Sequence, residues 1–142
     1  MNPKCTFLVV SQMSALTQIA PGQPPVQVIV APVPVLRPDI VPTHYTFAVT
    51  IGLDGIDLQK PDPSTIRIEM CDPDGVPVIQ SMQLPIKASE GHAKEADGSA
   101  VVSGMLANVY LSKGGQYQIK IEVDGVSMNE WLIEVRPRRV AE

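Results

Sequence analysis

Two histidines, two cysteines and a scatter of carboxylates are the side chains of this 142-residue sequence that could carry chemistry. General acid–base work or zinc ligation needs convergent partners. His44 falls on the polar side of a strand pattern, and His92 sits in Glu90-Gly-His-Ala-Lys-Glu95; neither has a companion at ligand spacing, so both are expected as surface residues. Cys5 and Cys71 lie in no CxxC or Cys/His pattern, which favours two free thiols over one mutual bridge. No pattern of Lys, Arg or His around either marks it as a low-pKa nucleophile. Carboxylates gather in turns at Asp54, Asp57, Asp62, Asp72 and Asp74. Two such turns meeting could hold calcium, but the spacing matches no EF-hand loop, and Asp before Gly or Pro favours turns by bonding the local backbone. Glu69 and Glu122, both expected on outward faces, could act as a glycosidase pair only within a cleft that raised one pKa. There is no Gly-x-Ser-x-Gly elbow, no His-Glu-x-x-His and no phosphate-cradling glycine loop. The expectation is a protein that is not an enzyme, with no catalytic, cofactor-binding or metal-ligating residues and no cofactor.

Charge and hydropathy narrow the partners. Eleven basic against 15 acidic residues leave a net charge of −4, and the one basic cluster is Arg136, Arg138 and Arg139 at the C-terminus. Phosphate binding needs clustered cations over a face, so this cluster reads as a solvated tail and nucleic acid is not expected as a partner. The apolar run Phe7-Leu8-Val9-Val10 stops at Ser11-Gln12, short of the ~7–15 residues of a secretory core and far short of a membrane span. No membrane association is expected, and the cytoplasm is the expected compartment. Phe7, Tyr45, Phe47, Tyr110, Tyr117 and Trp131 are the aromatic residues, and most fall at inward-patterned positions, which argues against a carbohydrate-binding face.

The elements that must position these residues are strands. At 142 residues, with 44% hydrophobic and 18% charged, residues 1–142 suit one domain with a core over about 4–136. Fourteen prolines are about double the usual ~5%, favouring short strands and stiff turns over helices. Asp-Gly, the strongest short hairpin signal, occurs at 54–55, 74–75, 97–98 and 124–125. Tyr117, Ile119, Ile121 and Val123 alternate with polar neighbours, and after Asp124-Gly125 the return strand changes parity between Met128 and Trp131, predicting a bulge near Asn129-Glu130. Ile66, Ile68 and Met70 oppose Arg67, Glu69 and Cys71 in a second hairpin, whose return from Val76 to Leu84 contains Pro77 and so reads as an edge. Tyr45, Phe47, Val49 and Ile51 oppose His44, Thr46, Ala48 and Thr50, while Cys5–Val10 and Val26–Ala31 read as buried strands. Residues 17–25 form a loop, Pro32 to Pro42 a stiff passage that crosses between sheets or blunts an edge, and 85–99 a mobile loop; Ala100 to Leu111 is a seventh strand interrupted by Gly104. The fold expected is an all-β, antiparallel sandwich of about 7–9 strands.

Leu111-Ser-Lys-Gly-Gly-Gln-Tyr117 resembles the tyrosine corner of immunoglobulin-like domains, which implies a phenol bonded back to the backbone just upstream. More closely, the chain is similar to a family of short, uncharacterised bacterial proteins, a domain of unknown function. The features that carry this are a first strand like Cys5-Thr-Phe-Leu-Val-Val, a central Asp72-Pro-Asp-Gly75 hairpin and a closing Gly115-Gln-Tyr117 strand with its Asp-Gly turn. The match extends from about residue 4 to 136, with the Pro-rich 21–42 stretch and the 85–99 loop particular to this member. It implies no activity. The leading functional expectation is a protein–protein interaction module, self-associating as a homo-oligomer or docking another protein at edges formed by 26–42 and 76–84. Alternatives are a calcium- or small-ligand-binding sandwich using the Asp-rich turns, and a phage or mobile-element accessory protein that binds a host protein.

Overall fold

Strict alternation from Tyr117 to Val123 buries one row of side chains and wets the other, and that requires a second layer facing the buried row. The computed structural model supplies it; it describes residues 3–18, 20–23, 26–56, 64–86 and 99–141. Nine strands follow in order: β1 (Lys4–Thr17), β2 (Val26–Pro32), β3 (Val35–Leu36), β4 (Thr43–Asp54), β5 (Thr65–Cys71), β6 (Met82–Pro85), β7 (Ala100–Leu111), β8 (Gly115–Val123) and β9 (Val126–Val135). They form two sheets, one ordered β2-β1-β4-β7 and the other β3-β9-β8-β5-β6. All pairings are antiparallel except that of β3 with β9. The protein is a β-sandwich.

Its core is the pair of inward rows. Phe47, Val49, Ile51 and Leu53 of β4 face Ile66, Ile68 and Met70 of β5 and Tyr117, Ile119, Ile121 and Val123 of β8, all at most 4% exposed. The β8–β9 hairpin turns at Asp124 and Gly125, whose φ values of 49° and 81° are those of a type I′ turn. The predicted bulge lies one residue upstream of its expected place: Lys120 faces Glu130 but Glu122 faces Ser127, which leaves an extra residue at Met128-Asn129. The β5 turn is built differently. Asp72 Oδ1 accepts from the amides of Asp74 and Val76, both at 2.9 Å, and only Gly75 takes a positive φ, of 84°. Its return is broken, with Pro77 bridging Cys71 before the chain leaves the ladder and rejoins it as β6.

Three expectations change. The face of β4 carrying Ala48 and Thr50 is not wet: residues 47–53 are buried on both sides. Thr50 pairs with Val9 in the ladder, yet its hydroxyl donates to Ser14 Oγ at 3.1 Å, so the distal half of β1 must curl back over the outer face of its own sheet. The apolar run Val26–Ala31 is an edge rather than a buried strand, with Val26 and Val30 41% and 43% exposed. The basic cluster is no loose tail. Arg138 N donates to Pro38 O, Val41 N to Arg139 O and Ala141 N to Val41 O, so the backbone continues the parallel pairing begun by β3 and β9 while the arginine side chains stay exposed. The Pro32–Pro42 passage does cross between sheets, carrying β3 from the sheet of β2 to the sheet of β9. Most of the expected 85–99 loop, with His92 and Asp97-Gly98, lies outside the described residues, as do Asp57 and Asp62.

Candidate functional site

The sequence Ala100-Val-Val-Ser-Gly-Met-Leu-Ala-Asn-Val-Tyr-Leu111 contains no charge and no proline, and β-branched residues favour an extended chain at three of its positions. It folds as β7, the last strand of its sheet, hydrogen-bonded on one side to β4. Seven consecutive pairs run from Leu53 with Ala100 to Phe47 with Leu106. Gly104 does not interrupt them; a Cβ there would meet only Leu84 Cδ1 at 3.9 Å, an ordinary contact. The irregularity comes later, at Asn108, whose φ is 55° and whose amide is taken by Thr46 Oγ1 at 3.1 Å.

Inward, Leu106 is buried and Val102 half-buried; outward, Val101, Met105 and Tyr110 are 50%, 43% and 44% exposed. Phe7 continues this outward apolar strip across the sheet, because its ring lies over Gly52, the ladder partner of Val101. A side chain at Gly52 would collide with that ring. Phe7 and Tyr110 were therefore misplaced by a core reading of the aromatic residues. Beside the β7 edge, a cleft of about 420 Å³ opens between Val78–Met82 and Met105–Asn108.

The other edges are guarded. Among the described strands, β3 has two residues between Pro34 and Pro38, β6 has four ending in Pro85, and β2 ends at Ala31, with φ of 53°, and Pro32. Prolines and short length remove or shorten the row of free backbone donors that another chain could pair with. The edges expected at 26–42 and 76–84 are thus edges, but of the blunted kind, and the long free edge at 100–111 was not anticipated as one. Nothing within the stretch announced it, because twelve residues without a charge or a proline fit a buried strand equally well.

The remaining candidate residues have local partners. Arg67 stands between Glu69 and Glu122, at 2.9 and 3.9 Å, on the outer face of the β8 sheet, so these glutamates are bridged there by a cation. Asp74 pairs with Lys113, whose ammonium is held above its ordinary pKa by that carboxylate, and Asp54 lies 3.9 Å from Lys4. Among the described residues, no three His, Cys, Asp or Glu side chains converge on a point. His44 is exposed and tilts against Tyr110 with ring centres 5.3 Å apart. Cys5 and Cys71 are free and buried; burial pushes the Cys5 thiol up, offset in part by the Trp131 indole beside it. No helix among the described residues is long and apolar enough to cross a membrane. Tyr117 forms the expected corner, its phenol donating to Lys113 O at 2.7 Å from a fully buried ring.

Residues 26–136 match the profile of a family of unknown function, DUF6941. The chain belongs to this family. The resemblance to an uncharacterised family is thereby borne out, although the DUF6941 match begins at 26 instead of 4, and it runs through the 26–42 and 85–99 stretches that had looked particular to this member. No curated protein matches the chain. Solved structures similar to this DUF6941 chain include the alkylpurine DNA glycosylase AlkC of Pseudomonas fluorescens, bound to DNA containing an abasic-site analogue, at 12% identity and a TM-score of 0.41 over 71% of this chain and 29% of that one. A β-glucosidase of Listeria innocua is similar at 12% identity and a TM-score of 0.42, over 73% of this chain and 15% of that enzyme. The CARDB domain of a Pyrococcus furiosus protein, solved with di-metal ions, is similar at 11% identity and a TM-score of 0.37, over 92% and 88% of the two chains. This chain therefore spans under a third of the first two proteins.

Proposed function

We propose that this chain is a non-catalytic protein–protein interaction module that takes up a partner strand along the free edge of β7. One observation carries the reading: among the described residues, Ala100–Leu106 is a regular, charge-free, proline-free ladder paired on one side only, while the other described edges are short or proline-bounded. Strand addition draws its affinity from main-chain hydrogen bonds and its selectivity from alternate side chains. Here those side chains are Val101 and Met105 on the outer face, with the neighbouring cleft ready for a residue at the partner's end. Two buried, unpaired thiols suit a reducing compartment, and the reading places the module in the cytoplasm.

A photo-crosslinking residue at Val101, compared with one at Lys120 on the polar outer face of the other sheet, tests this in cells of the native host. Adducts that form at Val101 and are scarce at Lys120 are the expected result, whether the captured chain is this protein or another. Equal capture at both positions, or none at Val101, would overturn the strand-docking reading.

A further inference from the structure

We infer that the strand docking on β7 is β7 of a second copy of this chain, paired antiparallel about a two-fold axis through Ser103. This assignment of the partner rests on the strand-docking reading above. The register follows from the limits of the strand. The regular ladder begins at Ala100 and ends at Leu106, where the Asn108 irregularity bends the edge away, so the midpoint of the usable edge is Ser103. Antiparallel pairing of two identical strands about that midpoint sets Val101 against Met105 of the second copy, Ser103 against Ser103, and Met105 against Val101. On the inner face it sets Val102 against Gly104 and Ala100 against Leu106 of the second copy.

Every one of those juxtapositions is sterically and electrostatically favourable. Each outer apolar residue meets another, large beside branched, and the two hydroxyls meet at the axis. On the inner face the bulk of Val102 faces a residue without a side chain. Like charges directly opposite one another penalise strand pairing, and this edge holds none although each copy carries a net charge of −4. The outer strip then becomes continuous from Phe7 through Val101 to Met105 of the second copy, which flanks Val101 from the side. This contact closes at two, because an isologous pairing uses the β7 edge of both copies in a single interface. A seven-residue ladder with one flanking strip is a small contact, at the weak end of specific interfaces (below ~1,200 Å² in total). A dissociation constant in roughly the micromolar range is therefore expected.

Cysteine cross-linking reads the register directly. Facing residues of an antiparallel pair have Cα atoms ~4.5–5.5 Å apart, within disulfide reach. Under mild oxidation the full-length Ser103→Cys variant should form a disulfide dimer, while Val101→Cys alone stays monomeric at the same concentration. Mixed with Met105→Cys, Val101→Cys should form the dimer, since pairing raises the effective thiol concentration, under conditions that leave either variant alone monomeric. Wild type, with Cys5 and Cys71 buried, is the background, and circular dichroism confirms that each variant is folded. Cross-linking of Val101→Cys to itself as fast as Ser103→Cys would refute the register and with it the inference. A Ser103→Cys variant that stays monomeric while the Val101 photo-crosslinker captures another polypeptide would refute self-pairing and leave the docking reading intact. Failure of both experiments would remove both.

Discussion

The two flanks of the sandwich are closed by different means. On one flank the chain itself ties the sheets together: it leaves β2 at Pro32, donates from Val33 N to Val10 O, joins β9 as β3, and is then laced by the backbone of residues 138–141. On the other, β7 and β6 end their sheets with Leu84 beneath Gly104, and β7 keeps its outer row of peptide groups free of any strand among the described residues. Proline accompanies the first flank throughout and is missing from β7. A β-sandwich must deal with every edge it exposes, and covering, shortening or interrupting them are the usual devices. An edge left long and neutral beside guarded ones is the contrast on which the proposed strand docking rests.

That contrast can be broken or sharpened. The largest effect is expected from Leu106→Ala, which empties a buried site where β7 meets the core and should cost about 2–5 kcal/mol by chemical denaturation. The neighbouring Met105→Ala should stay within about 0.5 kcal/mol, because its side chain is half in water. Equal losses would mean that β7 does not present one anchored and one free face. Next comes a stop after Arg136. It deletes the backbone bonds of Arg138, Arg139 and Ala141 to the 38–41 segment, and at about 0.5–1.5 kcal/mol each it should destabilise the protein by roughly 1.5–4.5 kcal/mol. Hydrogen exchange should show Val41 losing protection. A truncated chain as stable as the full one would mean that the closed flank is not held by its lacing.

Smaller still is Pro85→Val on the guarded side of the open flank. Stability should move by less than about 1 kcal/mol, and sedimentation should reveal no new association, since β6 remains four residues long. New oligomers would show that proline, not length, is the guard. The smallest effect belongs to Cys5. Burial raises its thiol pKa above the ordinary value, so its contribution to stability is complete at neutral pH and is lost as pH rises from about 8.5 through the folded-state pKa. Replacing it in Cys5→Ala should flatten the alkaline fall in urea midpoint between pH 7 and pH 10, and an unchanged slope would place the thiol in water.

How much of this was legible depends on how local each signal is. The β8–β9 hairpin, its bulge and the Tyr117 corner were readable because alternation, an Asp-Gly turn and a tyrosine after a glycine pair act within a few residues of one another. The broken return after Asp74-Gly75 was half readable: Pro77 announced an edge but not the gap before Met82. Ser14 over Thr50 was invisible, since it joins residues 36 apart and lies on the face of β4 that alternation made wet. The edge role of β7 was likewise hidden. Apolar residues from 100 to 111 fit a buried strand equally well, and only strand order decides whether both sides are paired.

By itself, then, the order of residues determined an all-β chain, its principal hairpins and most of the residues that fill its core, because pleat period and turn geometry are properties of neighbours. Only the tertiary structure decided which strands end each sheet, that the distal half of β1 covers β4, and that the C-terminal arginines ride on a pinned backbone. Those outcomes depend on hydrogen bonds between segments far apart in the chain. Side-chain pattern constrains such bonds, but it does not choose among the partners.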